Sequence, residues 1–291
     1  MAGKDLAGNE FYNYVKKWVV NDYKTPGIKA EVIIDMLLSE YVAEIVQNAI
    51  NEGKEEKDKV VLELVSKEFP IRTLIGDGPD FEVDKSNRSA RVDYLLADWK
   101  KEKLYFVELK TAKESAKESI GSKQLIRMIY SAYCSNENIF QFYEYVKENS
   151  GDSKSKYDAY EASRKSQFTK LEQMFTKLKQ MEKPSVECVY LTMGDLFSNS
   201  NRKLKNRSIE NKIWFKNIHK DHNKILLTIG EKEENEETDQ PISVHIVNFG
   251  PDLQPALNSN EQSATIVSED ETNERKPSWK DMQVIFKALM E

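Results

Sequence analysis

This chain of 291 residues predicts an α/β fold with a mixed central sheet, on three observations. β-Prone runs alternate along it with segments of helical apolar spacing. Two of those runs, RVDYLLAD from residue 91 and LYFVELKT ending at 111, flank the polar loop WKKE and read as a hairpin, which gives the sheet antiparallel neighbours. Residues 138–182 are mostly polar and helix-compatible, and read as a helical insertion.

Taken in order, residues 10–23 are aromatic-rich and predict a helix stopped at Thr25-Pro26-Gly27. From Glu31 to about Asn51, Ile34, Leu37, Leu38, Tyr41, Ile45, Val46 and Ala49 recur at helical spacing, and Gly53 with the run KEEKDK closes that helix. The stretch VVLELV and the segment EFPI follow, the latter a candidate first strand, and GDGPD at 76–80 reads as a loop. After the hairpin, SKQLIRMIYSAY at 122–133 predicts a helix. SVECVYLTM at 185–193 is nearly continuously apolar and predicts a buried strand. KILLTIG and ISVHIVNF predict two more strands around an acidic loop. Residues 251–276 show no periodicity and read as a polar linker, and 277–291 as a short amphipathic helix.

Composition bounds the function classes. With 43 basic and 49 acidic residues the formal net charge is −6, so no global field advertises a polyanionic partner. Cys134 and Cys188 are too few for a disulfide framework and lack zinc-ligand spacing, which points to two ordinary thiols. The N-terminus shows no apolar signal core and no run reaches the about 18 apolar residues of a membrane span, so a cytoplasmic location is expected.

The chemistry concentrates in the hairpin. Of five Glu-x-Lys triplets, only Glu108-Leu109-Lys110 lies in a strongly apolar, β-prone run, where residues two apart share a face. Two charges on such a strand are costly without partners or a role. If 99–102 form the loop, facing residue numbers sum to 201 and Asp93 stands opposite Glu108. Carboxylates so placed repel unless one is protonated or a cation lies between them, and hard ions such as Mg2+ take oxygen ligands of this kind.

Asp93, fourteen residues, then Glu108-Leu109-Lys110 on the next strand resembles the signature of the PD-(D/E)XK, or restriction-endonuclease-like, nucleases. The resemblance spans roughly residues 31–134 and implies a restriction-endonuclease-like core within a domain covering 1–250. It also implies an Mg2+-dependent nuclease acting on DNA, with Mn2+ able to substitute. Asp93 and Glu108 would hold the metal with the Leu109 carbonyl, and Lys110 would position the attacking water. Glu44, chosen over Glu40 because it borders the apolar stripe, would add a carboxylate from the first helix. Gln124 matches a glutamine of exonuclease-like branches, which favours exonuclease over endonuclease, although Met128 replaces the Tyr those branches often carry. Val92 replaces the nominal Pro.

A second feature points to nucleic acid. Residues 201–224 hold eight Lys and Arg against Glu210 and Asp221, with Trp214 and Phe215 interleaved. Cations with aromatics suit phosphate tracking and base stacking, and Lys203, Lys205, Arg207 and Trp214 are the candidates. The alternative function is a catalytically silent nucleic-acid-binding protein that keeps the nuclease fold.

Overall fold

The computed structural model describes residues 35, 38–39, 41–76, 80–85, 88–111, 122–135, 138–178, 185–193, 207–231 and 239–249. The expected N-terminal helix at 10–23, the linker and the C-terminal helix lie outside these residues.

Ten strands form one sheet: β1 (Glu63–Arg72), β2 (Leu74–Ile75), β3 (Asp80–Val83), β4 (Ser89–Asp98), β5 (Lys103–Lys110), β6 (Ser185–Met193), β7 (Arg207–Ile209), β8 (Ile213–Asp221), β9 (Lys224–Glu231) and β10 (Gln240–Phe249). Their order in space is β1-β4-β5-β6-β10-β9-β8-β7-β3-β2. β1, β4 and β5 form an antiparallel meander, while β6 runs parallel to both β5 and β10. The predicted hairpin register holds from Tyr94↔Val107 to Asp98↔Lys103. Asp98 fixes the turn by accepting from the Lys100 and Lys101 amides at 3.0 Å each, and Glu102 adopts the left-handed conformation that brings the chain back.

The α/β class stands, but the restriction-endonuclease-like core is corrected. That core implies a flat central sheet, whereas here the mixed sheet curls through 259° into a nearly closed barrel. The added strands are the physical reason. β3 and the β7–β8 pair, which the sequence reading did not predict as strands, extend the sheet beyond β9, and strongly twisted sheets of this many strands curl rather than stay open. β8 hid itself because a bulge between Lys216 and His219, with Asn217 at φ 56°, breaks its alternation. Phe215 and Ile218 therefore both reach the core three residues apart.

One apolar cluster draws on all ten strands and on the helix Lys123–Ile129 inside the curl. Among the described residues the α-helices are α1 (Val42–Asn51), α2 (Lys123–Ile129), α3 (Ile139–Glu148), α4 (Lys154–Ser163) and α5 (Lys165–Leu178). In α2, Leu125, Ile126, Met128 and Ile129 are all buried, as expected of a helix enclosed on most sides. A π-helical turn, Tyr130–Cys134, continues it. α1 instead covers the other sheet face, packing Val42, Ile45, Val46 and Ile50 with Tyr94, Leu96, Tyr105, Val107 and Leu109. The insertion, α3 to α5, packs on β1, where Tyr143 stacks on Phe69 with ring centroids 5.4 Å apart. It also satisfies the free edge of β1. Tyr160 Oη accepts from the Lys67 amide at 2.9 Å, and Arg164 donates to the Leu64 carbonyl at 3.3 Å. Both cysteines are free thiols. Among the described residues no helix is long and apolar enough to cross a membrane.

Candidate metal centre

On the inner face, β5 and β6 are apolar up to Phe106 and Tyr190 and then turn polar. Glu108 and Lys110 follow on β5, Thr192 on β6 in register with Lys110, and Asn248 on β10 in register with Thr192. Glu108 and Lys110 are only 3% and 6% exposed. Strand alternation puts both on one side, and Lys110 Nζ lies 2.8 Å from Glu108 Oε1. Gln124 Nε2 donates to the same oxygen. The helix that brings Gln124 there starts where it must, because Ser122 caps it by accepting from the Leu125 amide at 3.4 Å. Thr192 and Asn248 hydrogen-bond to each other beside this group.

Asp93 joins by a route the register alone did not foresee. The β4–β5 ladder ends at Tyr94↔Val107. One residue further on, Asp93 Oδ2 accepts from the Leu109 amide at 2.5 Å, so its carboxyl lies against β5 between Glu108 and Lys110. Alternation on β4 changes here too, since Val92 and Leu95 both enter the inner cluster. Burial and then the charge of Glu108 push the Asp93 carboxyl up to about 8, against the lowering effect of the Leu109 amide and Lys110. Glu68 adds a small further push. Glu68 was not foreseen from sequence. It falls between the pairs Lys67↔Tyr94 and Phe69↔Val92, at the position opposite Asp93, with φ 49°. Its carboxylate faces Arg91 at 3.5 Å.

The structure therefore brings Asp93, Glu108, Lys110 and Gln124 together and leaves Glu44 apart. Glu44 is exposed on α1, which covers the outer face, whereas Glu108 and Lys110 lie on the inner one. Glu40 is outside the described residues. The acid that does reach β4 from the N-terminal region is Asp35, at 2.5 Å from both Tyr94 Oη and Lys67 Nζ, and Tyr94 and Lys67 share the outer side with α1. A pattern search for Glu-x-Lys neighbours could not have found Asp35, Glu68, Thr192 or Asn248. Each depends on pairing between distant strands or on a chain reversal.

Of the nucleic-acid candidates, Lys203 and Lys205 lie outside the described residues. Arg207 and Trp214 sit in β7 and β8 and not in a loop. Trp214 is half-buried, with its indole N–H enclosed and without a partner, which leaves less of the ring for base stacking than a loop position would. In the sheet, β6, β10 and β9 lie between β5 and β8.

Among the described residues, no three His, Cys, Asp or Glu side chains form a metal-holding group. Asp93 and Glu108 are nevertheless two crowded carboxylates, the first raised chiefly by burial, and carboxylate oxygens are the kind of donor that Mg2+ takes when waters and substrate oxygens complete its shell. No family model, curated protein or solved structure matches the chain.

Proposed function

We propose that this protein is an Mg2+-dependent nuclease that hydrolyses phosphodiester bonds of DNA, with its active site at Asp93, Glu108, Lys110 and Gln124. The observation that carries the reading is the convergence of these four side chains from β4, β5 and α2 around one buried carboxylate. The fold gives no support, since the sheet is not the one the sequence resemblance implied, and function is argued from the site.

Asp93 and Glu108 would hold the cation, and the proton on Asp93 leaves as it binds. Bound there, Mg2+ would polarise a phosphoryl oxygen and make its water a stronger nucleophile. Lys110, held on Glu108 at 2.8 Å, donates to the attacking water and favours its deprotonated form. Gln124 fixes the Glu108 carboxylate and so acts as a positioning residue. The water oxygen bonds to phosphorus, one ester P–O bond breaks, and the products are an alcohol and a phosphate monoester. A gel assay with linear, circular and single-stranded DNA tests this. Mg2+-dependent loss of substrate by the wild type, absent in Lys110→Ala, is expected. Inactivity of the wild type on all three substrates in Mg2+ and Mn2+ contradicts it.

A second reading, a silent nucleic-acid-binding protein, is favoured by one observation: Lys110 and Gln124 both already engage Glu108 Oε1, as in a closed structural cluster. DNA binding without cleavage in that assay selects it.

A further inference from the structure

Arg127 carries a charge that the proposed site does not use. It lies on α2 three residues after Gln124, and residues three apart on a helix are surface neighbours with Cβ atoms about 5–6 Å apart. Its guanidinium is half-buried, with Nε enclosed and without a hydrogen-bond partner. Among the described residues its one side-chain hydrogen bond runs 3.3 Å to a neutral acceptor, the Leu74 carbonyl, where β1 passes into β2. Burial pushes its pKa down, and among the described residues no carboxylate offsets that. Three other arginines have a charged or aromatic partner. Arg88 meets Asp84, Arg91 meets Glu68, and Arg72 lies over the Phe142 ring at 4.3 Å.

A guanidinium is a rigid fork of donors that matches an oxyanion, and such pairs are the strong hydrogen bonds of proteins. A half-buried fork with no anion among the described residues, one turn from the residue that orients Glu108, is placed to receive its anion from outside. We propose that Arg127 anchors a backbone phosphate of the nucleic acid, adjacent to the phosphate presented to Asp93 and Glu108. The polymer's identity rests on the nuclease reading, whereas the anion subsite does not.

The test uses the full-length, metal-free protein. Arginine Nε–H signals are followed by NMR during titration with inorganic phosphate, with Arg127 assigned by its loss in Arg127→Lys. Affinity for a short single-stranded oligonucleotide is measured alongside. The Arg127 signal should shift and saturate with phosphate, and Arg127→Gln should weaken oligonucleotide binding roughly tenfold with an unchanged circular dichroism spectrum. If Arg127→Gln does not fold, Arg127→Lys keeps the charge and should weaken binding by a smaller factor. A signal indifferent to phosphate, or equal oligonucleotide affinity in wild type and the folded variant, overturns the anchor. Phosphate and oligonucleotide binding at Arg127 in a protein that cleaves nothing would keep the anchor and remove only the nuclease reading.

Discussion

Two charged groups sit at opposite ends of β5, and they solve the same problem in opposite ways. At the hairpin end, Glu187 on β6 meets Lys103 and, at 3.3 Å, His245. Burial alone would raise its pKa, but the hydrogen bonds and charges of His245 and Lys103 hold it at about 2. At the far end, Asp93 is buried beside Glu108 and rises to about 8. The first carboxylate has its counter-charges built in and belongs to the architecture. The second is buried and crowded by another acid, and both effects favour its protonated form. Buried carboxylates with pKa values driven upward mark candidate functional sites, and carboxylates already matched to cations more often serve stability.

The largest effect that would sharpen this contrast is catalytic. Lys110→Ala should lower DNA cleavage by roughly a hundredfold or more, the scale of a lost proton-transfer group. Lys103→Ala, at the paired end, should leave cleavage per folded molecule unchanged. Equal losses in the two variants, measured on samples with matched circular dichroism, would erase the distinction.

Next comes stability at the paired end. Glu187→Gln should destabilise the protein by on the order of 2 kcal/mol at neutral pH in urea unfolding. The pH dependence follows from the lowered value. The folded state holds Glu187 ionised where the unfolded chain would protonate it, so its contribution is fully present above about pH 4.5. It is lost as the pH falls toward about 2. A variant as stable as the wild type would show that the ion group contributes nothing.

Asp93 gives an effect of the opposite sign. Its folded value is raised, so between about pH 4 and 8 the folded state keeps a proton that the unfolded chain has released, and stability falls as the pH rises through that window. Asp93→Asn should therefore match the wild type near pH 4. Without divalent metal its advantage over the wild type should then grow with pH through that window, by up to about 1.4 kcal/mol per pH unit. A parallel pair of stability curves across that range would mean that Asp93 is not crowded.

The sequence foretold the local parts of this site better than the global ones. The hairpin register was legible because a four-residue loop and two alternating runs leave few ways to pair, and it placed Glu108 and Lys110 on one side. Gln124 was legible as a polar residue at the start of a helix that must follow the Lys strand. Asp93 was legible as a neighbour of Glu108, but its bond to the Leu109 amide was not, because that depends on the ladder ending one residue earlier. Glu44 misled because a helical stripe shows which side of a helix is buried and not which face of the sheet it covers. The barrel was hidden for a related reason. The segment 201–224 that holds β7 and β8 is rich in Lys and Arg, and the bulge at Asn217 removes the period-two signal that would have marked β8.

The central claim is that Asp93 and Glu108 form a cation site, and the Asp93 carboxyl reports on it directly. Its 13C chemical shift can be followed against pH by NMR, with and without millimolar Mg2+, using Asp93→Asn for assignment. The account predicts a midpoint near 8 in the metal-free protein that falls clearly when Mg2+ competes with the proton. A midpoint in the ordinary range of about 4, or one near 8 that Mg2+ leaves in place, would contradict it.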